Sequence, residues 1–69
     1  MIIKIVELVG TSTENFGEAV ENAVQRASGT VRNVSGVDIL KFSAKVEDGK
    51  ISEYRANVKI AFVVENVEQ

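Results

Sequence analysis

Cysteine and histidine are both missing from the 69 residues. Without cysteine there are no disulfides, thiolate metal sites, iron–sulfur clusters or thiol nucleophiles. Without histidine the commonest general base and the commonest transition-metal ligand are gone. A strong charge of one sign is lacking too: eight Lys and Arg against ten Asp and Glu leave a net charge of −2. No basic face or stripe marks a nucleic-acid binder. No apolar run approaches the ~20 residues of a membrane-spanning helix. Met1-Ile2-Ile3-Lys4 shows neither the charged leader nor the small-residue cleavage pattern of a signal peptide. The expectation is a soluble cytoplasmic protein with no nucleic-acid or membrane partner. There is also no Gly-rich phosphate loop and no recognisable paired-carboxylate motif, so the chain reads as a binding protein and not an enzyme.

What is present is a compact amphipathic pattern. Hydrophobic residues make up 45% of the chain, which argues against disorder. The length is that of one domain, residues 1–69. A core of this size rarely supplies more than about 3–5 kcal/mol, and small folds compensate with disulfides, metals or oligomerisation. With disulfides excluded, oligomerisation is the leading source of extra burial. Sites for hard cations, built from Asp and Glu oxygens, stay open.

From Ile51 to Glu65 the chain alternates without a break. Tyr54, Ala56, Val58, Ile60, Phe62 and Val64 fall on one face. Glu53, Arg55, Asn57, Lys59 and Glu65 fall on the other. Period two over this length predicts a long, half-buried antiparallel strand of roughly 50 Å. Ile2 to Val9 is β-branched and apolar on both parities, which predicts a first strand buried on both faces. Gly10-Thr11-Ser12 breaks that run, with Thr11 or Ser12 as helix N-cap and Glu14 at capping-box spacing. Phe16, Ala19, Val20, Ala23, Val24 and Ala27 then recur at three- and four-residue steps, predicting a helix from about 13 to 29. Gly29 is the candidate stop, with one further turn through Thr30-Val31-Arg32 as the alternative.

Val34 to Val46 predicts a second strand. Simple alternation puts Gly36, Asp38, Leu40, Phe42 and Ala44 on one face and Val37, Ile39, Lys41, Ser43 and Lys45 on the other. Glu47-Asp48-Gly49-Lys50 is a hairpin turn. The order is β-α-β-β, an α+β fold with one helix on one face of a three-stranded antiparallel or mixed sheet. A helix of 17 residues reaches only about 26 Å, so it leaves part of the long strand uncovered. Another copy of the chain is the expected cover.

The first strand, Gly10-Thr11-Ser12, the amphipathic helix with Arg26-Ala27, Thr30-Val31-Arg32-Asn33-Val34, the long hairpin and the Tyr54-to-Phe62 strand together resemble the dodecins. The resemblance covers nearly the whole chain. It implies a three-stranded antiparallel sheet partly wrapped around the helix and a hollow homododecamer. It also implies a small-molecule storage role, with a flavin (riboflavin, FMN or FAD) held at a symmetry axis. In the family pattern a tryptophan stacks on the flavin ring and a glutamine hydrogen-bonds its polar edge. Here the tryptophan position is Gly36, within Val34-Ser35-Gly36-Val37-Asp38, and the glutamine position is Arg55. The sequence contains no tryptophan at all.

The ligand-binding candidates are therefore Ser35, Gly36, Asp38 and Arg55, in an altered pocket. A guanidinium at an axis would meet copies of itself and need an anion or carboxylate beside it. Asp38 and Glu53 are the nearby acids. They are also the candidate ligands for Ca²⁺, the alternative reading, although a plain salt bridge accounts for them equally. Arg32, Lys41, Lys45, Lys50 and Lys59 are either a solvated face or, gathered in a shell, a cradle for an anionic cofactor. A structural assembly with no dedicated ligand is the third reading. Phe16, Phe42, Tyr54 and Phe62 are expected to pack, not to stack on a ligand.

Overall fold

The computed structural model describes residues 1–64. Four elements follow in order: β1 (Ile2–Ser12), α1 (Phe16–Thr30), β2 (Val34–Glu47) and β3 (Lys50–Val64). The sheet order is β1-β3-β2, and both pairings are antiparallel. The longest strand thus runs down the middle. Its alternation sorts as the sequence predicts: Ala56, Val58 and Ile60 are fully buried under the helix. Glu65, assigned to the opposite face, lies outside the described residues.

Helix and sheet approach closely because both contact surfaces are small. Ala19, Ala23 and Ala27 form the buried stripe of α1. Beneath them lie Gly10 of β1 and Ala56 of β3, which are cross-strand partners. A side chain at Gly10 would run into the carbonyl oxygen of Ala19 and come within 2.8 Å of Ala23 Cβ. Gly10 therefore does not break the strand, as its sequence suggests. β1 continues through it to Ser12, and the missing side chain lets the helix settle.

The helix begins later than residue 13 because Ser12 and Asn15 share the capping. Ser12 Oγ accepts from the Glu14 N–H at 2.8 Å and donates to Glu18 Oε1 at 2.6 Å. Asn15, not Thr11 or Ser12, is the N-cap: its Oδ1 accepts from the Glu18 N–H at 2.7 Å. At the other end the helix runs past Gly29. The Val31 N–H donates to the Ala27 carbonyl at 2.9 Å, and Asn33 takes the left-handed conformation (φ 62°) that turns the chain into β2. The hairpin turn is as expected. Asp48 and Gly49 both have positive φ, 54° and 76°, as a type I′ turn requires.

β2 departs from simple alternation. The register skips Ser35 and Leu40, so both are bulged out of the ladder. The Leu40 bulge reverses parity, since two β2 residues there oppose one β3 residue. Before it, Val37 and Ile39 pair with Ile60 and Val58 on the helix side, while Gly36 and Asp38 pair with Ala61 and Lys59 on the open side. After it, Phe42 and Ala44 take the helix side, and Lys41, Ser43 and Lys45 the open side. The two mixed faces read from the sequence resolve into one apolar face and one largely polar one.

The core is small. Six hydrophobic residues are buried, and Ile60 and Val58 are the only large ones that are fully so among the described residues. Fully burying such a side chain contributes about 1.5–3 kcal/mol. The molecule is elongated, 57 × 19 × 13 Å, with a radius of gyration of 14.4 Å. A compact chain of this length has a radius of about 11 Å. Ile3, Ile5 and Val9, expected to be buried, are about half exposed on the open face of β1. On the helix side Ile39 and Phe42 are similarly exposed, because α1 leans over β1 and β3 and barely reaches β2.

Candidate functional site

The open face of the sheet has two halves. Toward one end β1 presents Ile3 and Ile5, β3 presents Ala61 and Val63, and β2 presents Gly36. Toward the hairpin the same face presents Thr11, Arg55 and Ser43 in one row, and Lys45 and Glu53 in the next. Between the halves stand Asn57 with Val9 and Lys41, then Lys59 with Glu7 and Asp38.

Gly36 lies at the apolar end. The position of a Cβ there has no atom within 4 Å. A hollow of about 230 Å³ lies behind it, between α1 and the β2 edge on the helix side, lined by Val24, Val34, Ser35, Gly36 and Val37. Three valines make this hollow apolar. Ser35, the bulged residue, donates from Oγ to the Ala61 carbonyl at 3.4 Å, so its hydroxyl is turned to the sheet.

Arg55 lies at the polar end. Its Nε is 3.5 Å from Glu53 Oε2, two residues back on the same strand. This is the neighbouring carboxylate that the sequence reading required for a guanidinium here. The pair is partly solvated, and such pairs contribute about 0–1 kcal/mol. Arg55 and Ala61, the partner of Gly36, are six positions apart on β3, which is about 20 Å. Within one chain, then, Gly36 and Arg55 do not meet. Asp38 and Glu53 are separated in the same way: Asp38 stands opposite Lys59, six positions from Glu53. Among the described residues no three acidic side chains gather as a metal site.

The matching family model is that of the dodecins, over residues 2–65. The chain belongs to the dodecin family. The dodecin of Thermus thermophilus is 30% identical over 64 residues, 93% of each chain. The structure of dodecin from Streptomyces coelicolor superimposes with a TM-score of 0.92 at 32% identity, covering 96% of this chain and 94% of that one. A calcium dodecin of Mycobacterium tuberculosis, described as having a novel calcium-binding site, matches at a TM-score of 0.83 and 26% identity. It covers 100% of this chain and 99% of that one. The dodecin fold thus extends over all four elements, with the β-α-β-β order intact.

Three of the four aromatic residues, Phe16, Phe42 and Tyr54, pack together as the sequence suggests. Phe16 at the start of α1 sits 4.9 Å from both Phe42 and Tyr54, tilted on the first and edge-on to the second. This cluster pins the helix start to the sheet. The cationic residues do not gather in one chain: Lys41, Lys45 and Lys59 lie along the open face, Lys50 opens β3 and Arg32 sits in the α1–β2 connection. Lys45 is paired with Glu47 at 3.3 Å. Sequence reasoning missed the two hydroxyls beside Arg55. Thr11 was read as part of a turn and Ser43 was sorted without the Leu40 bulge, so neither could be placed on the same face as Arg55.

Proposed function

We propose that this chain is a ligand-binding subunit of a closed homododecameric shell that stores a flavin, with the pocket altered at Gly36 and Arg55. The reading rests on one observation above all. The two ends of the open face that the family pattern assigns to the ligand are about 20 Å apart in one chain. Neighbouring copies are needed to bring such ends together. The half-exposed Ile3, Ile5 and Val9 supply a self-complementary surface for them. In the assembled site the free space over Gly36 on the open face receives the edge of the ring system in place of an indole. Ser35 and Asp38 flank it, and Arg55 faces the ring's polar rim. The role is storage or sequestration, not catalysis.

Native mass spectrometry of the protein as purified tests both parts. The expected result is a mass near twelve times 7.5 kDa, with flavin retained or taken up on titration and riboflavin fluorescence quenched. A monomer overturns the shell. An intact shell that leaves micromolar riboflavin unquenched overturns the flavin and leaves a structural assembly.

A second reading is a calcium-binding shell using Asp38 and Glu53. The similarity to the M. tuberculosis calcium dodecin supports it. Their separation in one chain requires carboxylates from different copies at each ion. Melting temperature measured with EDTA and with added Ca²⁺ separates this reading from the first, because a specific site raises it.

A further inference from the structure

We propose that the end of the β2–β3 hairpin is an interaction surface for a second copy of this chain. Val46 and Ile51 insert into the apolar hollow between α1 and β2 of the next copy. The proposal rests on the shell reading above and names a contact which that reading leaves open. A self-complementary open face joins two copies and stops there, because an isologous contact uses the same patch on both. A shell of twelve needs a second contact of the other kind, in which one surface meets a different one and the joints close a ring.

Both halves of such a contact lie on the helix side of the sheet. Val46 and Ile51 are cross-strand partners in the last apolar row before the turn. The Lys45–Glu53 row before it faces the open side, so this pair faces the helix side. Val46 is 62% exposed and Ile51 49%. α1 does not cover them. Its first residue, Phe16, packs on Phe42 and Tyr54, and the Tyr54 row lies two rows nearer the middle of the sheet. Toward the other end, Val24 of α1 and Val34 and Val37 of β2 line the hollow of about 230 Å³. None of its lining residues is charged, and the Ser35 hydroxyl is turned to the Ala61 carbonyl, so the hollow suits an apolar occupant.

Ile51 and Ile60, the partner of Val37, are nine positions apart on β3, about 30 Å. One chain cannot fill its own hollow. Two copies set face to face cannot fill each other's, because each carries α1 on that face and two helices of about 10 Å diameter hold the sheets apart. The hairpin of one copy therefore reaches the hollow of the next head to tail, which is the arrangement that closes a ring.

A cysteine pair tests the contact directly, since the sequence has no cysteine of its own. Ile51→Cys and Val24→Cys are combined in one chain and the assembled protein is oxidised. Within one chain the two positions are far beyond the ~7 Å that a disulfide spans, so every bond formed joins two copies. Denaturing gels without reductant are expected to show covalent multimers of more than two chains, and each substitution alone to show single chains. By native mass spectrometry, Ile51→Asp is expected to leave pairs of copies, and Ile5→Lys to leave rings of more than two. Where Ile51→Asp fails to fold by circular dichroism, the uncharged cysteine pair decides. A full twelvefold mass for Ile51→Asp, or a double-cysteine protein that stays as single chains within an intact shell, overturns the proposal and leaves the shell reading standing. A monomeric wild-type protein overturns the shell reading and this contact together.

Discussion

Gly10 of β1 and Ala19 of α1 meet backbone to backbone, with no space for even a methyl group between them. The contact sets how far the helix sinks onto the sheet, and through that the burial of Ala56, Val58 and Ile60. Two glycines of this chain therefore predict opposite outcomes when changed to alanine.

Gly10→Ala is expected to destabilise strongly. The added methyl meets a helix carbonyl, which cannot rotate away as a flexible side chain would. Overpacking of this kind costs about 1–3 kcal/mol. Gly29→Ala is expected to stabilise, since nothing lies within 4 Å of its Cβ position and it sits inside α1. Alanine gains about 0.5–1 kcal/mol over glycine in a helix. Thermal melts at matched protein concentration check both, and a Gly10→Ala protein as stable as wild type contradicts the close approach.

Ser12 carries more of the helix start than Thr11. Ser12 is buried, and its hydroxyl serves the Glu14 N–H and the Glu18 carboxylate together. Ser12→Ala leaves a part-buried donor and acceptor unmatched, at about 1–3 kcal/mol. Thr11→Ala, on the exposed face, is expected to stay within about 0.5 kcal/mol. Urea midpoints of the two proteins give the comparison, and equal losses would contradict the assignment.

The open face predicts a charge-sensitive assembly. Ile5 is about half exposed in the single chain, at the apolar end of the face. Ile5→Lys is expected to lower the assembly mass by light scattering, because a buried unpaired ammonium is costly at an interface. Lys59→Ala, among solvated charges on the same face, is expected to leave the mass unchanged. An intact assembly with Ile5→Lys places the contacts between copies elsewhere.

Gly36→Trp restores an indole where space already exists. The position has neither positive φ nor a neighbour within 4 Å, so the variant is expected to keep the wild-type fold. Stacking contributes about 0.5–1.5 kcal/mol beyond area burial. Riboflavin affinity should then rise roughly two- to tenfold. A riboflavin titration followed by fluorescence quenching measures it, and unchanged affinity in an intact assembly removes Gly36 from the pocket.

The central strand was legible from Glu53 to Val64, because one period sorts its side chains there. The register shift that skips Ser52, opposite Lys45 and Val46, interrupts the alternation read from Ile51. The hairpin was legible for a similar reason: Asp48-Gly49 supplies two positive φ angles in sequence. Gly10 was misread because a glycine needed for close approach and a glycine that breaks a strand look alike until the helix is laid above it. The helix start shifted because Ser12, Glu14, Asn15 and Glu18 form one hydrogen-bonded group spread over seven residues. The distance between Gly36 and Arg55 was hidden in the register. Both belong to the family's ligand pattern, yet strand pairing sets them at opposite ends of one face.

The bulge at Leu40 has a consequence for how β2 tolerates change. It acts as a phase switch: the strand before it and the strand after it are written in opposite reading frames of in and out. Pairing Leu40 into the ladder would put the whole distal segment out of step, turning Lys41, Ser43 and Lys45 toward the helix side and Phe42 toward water. Deleting it would instead leave Ile39 opposite Val58 and Lys41 opposite Asn57 in a regular ladder. Point substitutions along β2 change one side chain each. A single deletion at residue 40 would iron out the bulge and leave both halves of the strand facing as they do.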